Sequence, residues 1–284
     1  MKLSETLSYG RKRLEAAGID TALIECEHMF MCMLDTSRAS LYLMADNEIA
    51  SHNEKQFHDW LDGREKRIPL AYLLGDVFFH SLKLKVRPGC LIPRPETEQL
   101  VDAIAAVLKS DHIAAPVIAD IGCGSGAIGL ALRGIFPDAR LVMTDVSSPA
   151  LEITKSNAEQ LQYKDIQFYL SDLFQAPVFL NTKFDAIVSN PPYLTQADMQ
   201  ALQPEVAHEP REALDGGLDG LDFYRRIIPE AKKHLKPGGS LGLEIGFGQA
   251  EAVQSELEKN GYNEIQVFKD HQQIERVLTA RYRY

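Results

Sequence analysis

The 284-residue sequence is 45% hydrophobic and 25% charged, ordinary values for a globular protein with one large domain or a small domain beside a standard one. Its formal net charge of −10 argues against a protein that holds nucleic acid mainly by neutralising phosphates. No apolar run reaches the length of a membrane span and the N-terminus has no apolar signal core, so we expect a soluble, cytoplasmic protein without membrane contacts.

The four cysteines predict neither a disulfide framework nor a metal centre. They fall in unrelated contexts, without the paired C-x-x-C spacing of a metal site: Cys26, Cys32, Cys90 and Cys123. We therefore expect free, buried thiols and no bound metal.

Residues 1–75 are predicted to form a small helical domain. Their apolar residues recur at three- and four-residue steps, and breaks at Gly18, "DTSRAS" and "DNEIASHNE" divide the region into about four short helices. Ser51, with Glu54 three residues later, is predicted to cap one of them. Residues 76–92 then alternate between apolar and polar side chains, which predicts a β-hairpin that links this domain to the rest.

From residue 93 to 284 the pattern predicts alternating strands and helices. We expect strands near 116–121, 140–145, 166–170, 184–189, 240–245, 264–269 and 275–282. The helices are expected at 125–135, 148–161, 222–235 and 248–260. This alternation is typical of an α/β fold, a doubly wound parallel sheet with helices on both faces.

The loop "ADIGCGSGAIG" follows the first strand of this sheet and opens a helix, as a nucleotide-binding loop requires. Glycines at 122, 124 and 126, with Cys123 and Ser125 between them, let a ligand lie against the backbone and the helix N-terminus. The same stretch also matches the dinucleotide pattern G-x-G-x-x-G, which is weak evidence when it stands alone.

Three aspartates follow or precede this loop at successive strand ends. Asp120 would repel a pyrophosphate but suits the ammonium group of a zwitterionic ligand. Asp145 can accept hydrogen bonds from both hydroxyls of a ribose, and Asp172 can accept from an adenine amino group. Each alone could be a helix N-cap, but together they converge on one crevice.

This arrangement resembles the class I S-adenosylmethionine-dependent methyltransferases. The resemblance implies a Rossmann-like seven-stranded sheet whose last strand is antiparallel. It also implies S-adenosylmethionine as cofactor, S-adenosylhomocysteine as product, and no metal. The implied cofactor contacts are Asp120, Gly122, Cys123, Gly124, Ser125, Gly126, Asp145, Asp172, Leu173 and Asn190. At Leu173, an aliphatic side chain can pack on the adenine ring.

The fourth strand ends in "SNPPY", where a methyl acceptor would lie. The side-chain oxygen of Asn190 and the carbonyl of Pro191 can accept hydrogens from a planar –NH2 group, because proline's fixed φ aims that carbonyl. Tyr193 can cover the flat face of the substrate, and Pro192 completes the substrate contacts. The alternative is that the two prolines only terminate the strand.

Three further stretches, "RIPLAYLLG", "LIPRPETEQLV" and "EPREALDGGLDGLDFYRRI", resemble the HemK/PrmC family of release-factor glutamine methyltransferases. The resemblance covers nearly the whole chain. It implies methylation at N5 of the glutamine in the Gly-Gly-Gln motif of peptide-chain release factors, with residues 1–75 recognising that protein substrate. Within "PRPETE", we expect a structural role for Glu98, whereas Arg94 could join an ion-pair network or line the acceptor entrance.

Three other functions would use parts of this sequence. A DNA or RNA adenine N6-methyltransferase would need a basic groove to hold and read a flipped base, which the acidic sequence does not favour. A ribosomal-protein glutamine methyltransferase is not expected to carry the "PRPETE" form. A non-enzymatic nucleotide-binding module would leave "NPPY" without a role. We therefore expect no direct contact with nucleic acid.

Overall fold

The computed structural model describes residues 1–282, which form two compact units. The first comprises Met1–Gly75 together with Gln203–His208. The second comprises Asp76–Leu202 and the chain from Glu209 onwards, so it includes the hairpin. Within the described residues, no helix has the length and apolarity needed to cross a membrane.

The first unit is helical, as predicted. Its helices are α1 (Leu3–Ala16), α2 (Ala22–Leu34), α3 (Arg38–Leu43), α4 (Ser51–Glu65) and α5 (Leu70–Leu74). Phe30 and Phe57 pack in the core with ring centroids 4.5 Å apart. Helix α1 lies close to α4 at Gly10, because a Cβ at that position would lie 2.5 Å from the Phe57 ring. The predicted cap at Ser51 is wrong, because Ala50 occupies the N-cap position and makes no side-chain capping bond.

The segment 203–208 is held to the helical unit by charge. The Arg64 guanidinium, whose side chain is 3% exposed, bonds Glu25 at 2.6 Å and Glu205 at 3.1 Å. Arg67 reaches the same Glu205 carboxylate at 2.8 Å. Because the Arg64 side chain is buried, these pairs must satisfy its charge inside the unit.

The second unit begins with an antiparallel hairpin, β1 (Asp76–Phe79) and β2 (Leu82–Lys85), as the alternating pattern predicts. Helix α6 (Glu98–Ser110) follows, and the sequence analysis did not predict it. The remaining elements in chain order are β3 (Val117–Ile121), α7 (Ala127–Ile135), β4 (Arg140–Asp145), α8 (Ser148–Gln160), β5 (Ile166–Leu170), β6 (Phe184–Ser189), α9 (Asp222–Ala231), β7 (Leu235–Glu244), α10 (Ala250–Lys259), β8 (Tyr262–Lys269) and β9 (Glu275–Tyr282).

Strands β3 to β9 form one seven-stranded sheet in the order β5-β4-β3-β6-β7-β9-β8. Its first five strands are parallel, and β9 pairs antiparallel with both β7 and β8, which confirms the predicted antiparallel last strand. The central strand β6 is buried at every position, as its apolar sequence requires. Apolar clusters cover both faces of the sheet, with α6 and α7 on one side and α9 and α10 on the other.

Candidate active site

The site lies at the carboxyl ends of the parallel strands. Strand β3 pairs with β4 on one side and with β6 on the other, so the chain reverses its direction of travel across the sheet between them. Such a reversal opens a crevice where ligands of α/β sheets bind. A cavity of about 980 Å³, including its open mouth, fills this position in the second unit.

The glycine loop forms the floor of the cavity. Gly122, Gly124 and Gly126 have φ of 71°, 57° and 84°, a region that L side chains disfavour. The N–H groups of Gly122 and Cys123 donate to the Thr144 carbonyl at 2.8 and 2.9 Å, which fastens the loop to β4. The wall includes Gly122, Cys123, Gly124 and Ser125, whereas Gly126 starts α7 behind it.

Asp145 ends β4 and lines the cavity with a rigidly held carboxylate. One oxygen accepts the Gly124 N–H and the other accepts the Ser147 N–H, both at 2.8 Å. The residue is 9% exposed, and burial raises the pKa of its carboxyl. Each oxygen keeps a further lone pair, so the group can accept two more hydrogen bonds from a ligand. The assignment of this acid to a ribose stays a prediction.

Asp120 lies behind the loop rather than on the cavity wall. It is 1% exposed, and its Oδ2 accepts the Gly129 N–H at 2.9 Å. Burial raises the pKa of this carboxyl to about 7, and its Oδ1 has no hydrogen-bond partner among residues 1–282. The residue thus joins the loop to the first turn of α7, and its contact with a ligand ammonium group stays a prediction.

Asp172 and Leu173, beyond the end of β5, both line the cavity. The Asp172 carboxylate pairs with Arg226 at 2.6 Å, which fixes its direction but leaves it half-exposed. Leu173 has φ of 51°, so the backbone turns sharply there and presents the aliphatic side chain to the cavity. Phe223, which the sequence analysis did not single out, also lines the cavity.

The "SNPPY" segment forms the wall beyond β6. Ser189 Oγ donates to the Ile121 carbonyl at 2.7 Å, which ties the end of β6 to that of β3. Asn190, Pro191 and Pro192 line the cavity. Asn190 Nδ2 donates to Thr97 Oγ1 at 3.4 Å, and this orientation leaves the side-chain oxygen of Asn190 available as an acceptor.

Tyr193 does not lie among the lining residues. Its hydroxyl donates to the buried carboxylate of Glu244 at 3.4 Å, and its carbonyl accepts from Gln249 Nε2 at 2.9 Å. Burial raises the pKa of the Tyr193 phenol, and the ring packs with the sheet core. These bonds anchor the segment, and the cover of a substrate group by the Tyr193 ring stays a prediction.

Several residues of the site were missed or left open by sequence reasoning. Arg94 pairs with the buried Glu209, whose other oxygen accepts the Ile92 N–H at 2.9 Å. This joins "PRPETE" to "EPRE", two stretches whose proximity only the fold reveals. Glu98 accepts the His80 N–H at 2.7 Å, which gives it the expected structural role. Thr97 also lines the cavity. Nothing in the sequence singles it out beyond its position in "PRPETE".

None of the four cysteines, all within the described residues, forms a disulfide. Cys26, Cys90 and Cys123 are buried, as predicted, whereas the predicted burial of Cys32 is wrong, because its side chain is partly exposed. Burial raises the pKa of Cys90 to about 12, so this thiol on the cavity wall stays protonated. Among residues 1–282, no group of three or more His, Cys, Asp and Glu side chains is arranged to hold a metal ion.

The sheet has seven strands, one of them antiparallel. A loop of glycines with positive φ follows β3, and an acid stands at the end of β4. These features together define the class I S-adenosylmethionine-dependent methyltransferases. Comparisons with known proteins narrow this class. Residues 97–217 match the "Methyltransferase small domain" family and residues 5–75 match the "PrmC N-terminal domain" family.

A release factor glutamine methyltransferase of Geobacter sulfurreducens is 38% identical over 98% of this chain and 96% of its own length. One from Coxiella burnetii is 41% identical over 92% of both chains. The chain belongs to the release factor glutamine methyltransferase family. A Thermus thermophilus 16S rRNA methyltransferase, solved with S-adenosylmethionine and guanosine, shares the fold at a TM-score of 0.55 and 21% identity, over 73% of this chain and 50% of that one.

Proposed function

We infer that the protein transfers a methyl group from S-adenosylmethionine to the N5 amide of the glutamine in the Gly-Gly-Gln motif of peptide-chain release factors. The observation that carries this inference is the acceptor wall of Asn190 and Pro191 on the same cavity as the glycine loop and Asp145. Kinship with relatives of that activity over nearly the whole chain supports it.

The donor fits the floor of the cavity. Asp145 presents two carboxylate oxygens suited to a pair of ribose hydroxyls, and the glycine loop lets the ligand lie directly on the backbone. The adenine is proposed to contact Asp172 and Leu173, which line the same cavity. When bound, the sulfonium supplies an electrophilic methyl group and leaves as a neutral thioether.

The acceptor nitrogen of the substrate amide is a weak nucleophile, and residues of this chain orient it. A glutamine –NH2 has its lone pair delocalised, so its direction of attack must be fixed. The Asn190 side-chain oxygen and the Pro191 carbonyl accept its two hydrogens and hold the nitrogen toward the methyl group. Catalysis then rests on orientation and fixed dipoles, without a strong base before attack. The nitrogen becomes positively charged as the N–CH3 bond forms and the S–CH3 bond breaks, and this strongly acidic cation then loses one N–H proton to water.

Tyr193 and Pro192 support this wall from different positions. Pro192 contacts the cavity, whereas Tyr193 holds the segment from behind through Glu244 and Gln249. We assign to Tyr193 the role of positioning the Asn190 side-chain amide and the Pro191 carbonyl.

The helical unit, residues 1–75, is proposed to hold the release factor, because one glutamine loop offers too little surface for specific binding of a whole protein. Direct contact with nucleic acid or with a membrane is no part of the proposed function.

The test is the fate of labelled methyl groups. The protein is incubated with S-[methyl-³H]adenosylmethionine and, separately, purified unmethylated release factor, the same factor with its Gly-Gly-Gln glutamine changed to alanine, and duplex DNA or ribosomal RNA. Label should enter only the unaltered factor. Equal label in both forms of the factor, or label in nucleic acid alone, would overturn the proposed function.

A further inference from the structure

Two buried side chains of α8 hold the glycine loop from behind. Thr154 and Asn157 lie three residues apart on this helix, and both are 0% exposed. The Thr154 hydroxyl donates to the Gly124 carbonyl at 2.6 Å, which is shorter than its contact of 3.2 Å with the Ala150 carbonyl of its own helix. Asn157 Nδ2 donates to the Ser125 carbonyl at 2.9 Å. Two successive carbonyls of the loop are therefore fastened to α8.

The Asn157 amide has one orientation that satisfies its surroundings. Its second Nδ2 hydrogen goes to the Lys85 carbonyl at 3.1 Å, and its Oδ1 accepts the Lys85 N–H at 2.7 Å. The reversed amide would turn its oxygen toward two carbonyls and its NH2 group toward an N–H, so all three bonds would be lost. Asn157 thus joins the end of β2 to the glycine loop.

These bonds set the direction of a peptide group beside the cavity. No peptide bond among residues 1–282 is cis, and in a trans peptide the C=O and the following N–H point to opposite sides. Because the Gly124 carbonyl is held toward Thr154, the Ser125 N–H is turned away from it. Gly124 and Ser125 both line the cavity. The backbone that a donor meets there depends on side chains that lie behind the loop.

The loop needs such bonds because its own backbone restrains it weakly. Glycines on both sides of Ser125, at 124 and 126, have positive φ, and glycine moves readily between backbone conformations. The start of the loop is fastened to the end of β4. Beyond the Gly124 N–H, the loop is held by one internal bond, from the Gly126 N–H to the Cys123 carbonyl at 2.7 Å, and by the two bonds to α8.

We propose that Thr154 and Asn157 are positioning residues for the methyl donor, which hold the Gly124 and Ser125 peptide groups in the conformation that binds S-adenosylmethionine. The proposal rests on the donor assigned in the proposed function. Neither side chain needs to touch the donor; both act through the loop.

A pair of substitutions at Thr154 separates positioning from packing. Thr154→Val keeps the shape of the side chain but removes the hydroxyl that bonds the loop. Thr154→Ser keeps the hydroxyl but removes the methyl group that lies against Gly126, where a Cβ would be 2.8 Å from Thr154 Cγ2. A packing role makes the serine variant the weaker donor binder, whereas the positioning role makes the valine variant the weaker one.

Asn157→Asp tests the second bond with nearly the same shape. It keeps an acceptor for the Lys85 N–H, but an ionised carboxylate donates to neither carbonyl. Gln160→Ala is the matched control, because exposed Gln160 joins the same helix to the hairpin through the Lys83 carbonyl at 3.0 Å. The control therefore loosens the hairpin without removing a bond to the glycine loop.

Donor affinity, measured by calorimetric titration, is the main readout. We expect Thr154→Val to weaken S-adenosylmethionine binding at least about fivefold and Asn157→Asp at least about tenfold, because fewer molecules hold the loop ready for the donor. Thr154→Ser and Gln160→Ala should stay within about twofold of wild type.

Two further measurements separate positioning from a general loss of structure. Single-turnover methyl transfer to release factor at saturating donor should stay within about threefold of wild type in Thr154→Val, since bound donor selects the competent loop. Donor affinity should follow the hydroxyl and the amide rather than Tm, so Thr154→Ser should lower Tm while it binds the donor normally. If Asn157→Asp does not fold, the two Thr154 variants decide the outcome alone.

Unchanged donor affinity in Thr154→Val, weaker binding in Thr154→Ser than in Thr154→Val, a loss in Gln160→Ala equal to that in Asn157→Asp, or affinities that fall in step with Tm would each overturn the proposal. A wild-type protein that binds the donor but transfers no methyl group to release factor would overturn the proposed function and leave this proposal standing. A wild-type protein that does not bind S-adenosylmethionine would overturn both.

Discussion

Asp145 gives the most direct prediction about the donor. Asp145→Ala removes the acceptor for two ribose hydroxyls, and hydrogen bonds to a charged group are each worth roughly 1.5–3 kcal/mol. Because the carboxylate also accepts the N–H groups of Gly124 and Ser147, the variant leaves both without their partner and loosens the loop. We therefore expect S-adenosylmethionine affinity to fall by at least about 1.5–3 kcal/mol, roughly 10- to 100-fold in Kd.

Calorimetric titration of the donor measures this loss. Asp145→Asn is the conservative partner, since it keeps the shape and one acceptor oxygen but turns an NH2 group toward one of the two backbone donors. Its loss of affinity should lie between those of wild type and the alanine variant. Asp138→Asn neutralises an exposed acid before the other end of β4 and serves as the control for charge. An unchanged donor affinity in Asp145→Ala would refute the assignment of this acid to the ribose.

Three further predictions concern the acceptor, the buried acid and the helical unit. Asn190→Ala should leave donor affinity nearly unchanged but slow single-turnover methyl transfer at least about 10²-fold, and Asn190→Asp should also be impaired because it cannot donate to Thr97; a wild-type rate in the alanine variant would reduce "SNPPY" to a strand ending. Burial raises the pKa of Asp120 from 3.8 to about 7. Between these two pH values the folded protein holds a proton that the unfolded chain has released. The free energy of unfolding should therefore fall by up to about 4 kcal/mol as the pH rises from 3.8 to about 7. Denaturation at pH 5 and pH 8 covers about 3 kcal/mol of that fall. Asp120→Asn should remove most of this part, and an equal fall in both proteins would contradict the burial argument. A chain that begins at Asp76 should bind the donor normally but methylate intact release factor with kcat/KM lowered at least about tenfold; equal kcat/KM would give residues 1–75 another role.

The sheet was predictable because its central strands are short runs rich in apolar and β-branched residues. "VIADI", "RLVMTD" and "FDAIVS" are buried at nearly every position, so composition alone identified them. Helix α6 was not predicted because its first turn lies in the charged stretch "PRPETEQLV". Its apolar residues Leu100, Val101 and Ile104 have helical spacing, but this spacing begins only at the end of that stretch.

The site was predictable to the extent that it depends on strand ends. Asp145, Asp172 and Asn190 reach one cavity because the carboxyl ends of neighbouring parallel strands must meet. Asp120 and Tyr193 are not among the residues that line this cavity, and their side chains bond to other elements of the fold. Asp120 bonds the backbone of α7, and the partner of the Tyr193 hydroxyl lies 51 residues further along the chain. No spacing rule encodes such contacts.

The measurement that tests the central claim most directly is tandem mass spectrometry of release factor after incubation with the protein and S-adenosylmethionine. Intact unmethylated factor should gain one methyl group, and fragmentation should place it on the side-chain amide of the Gly-Gly-Gln glutamine. With Asn190→Ala, the same peptide should remain almost wholly unmethylated over the time that converts it with wild type. A methyl group located on any other residue, or full conversion by the variant, would contradict the account.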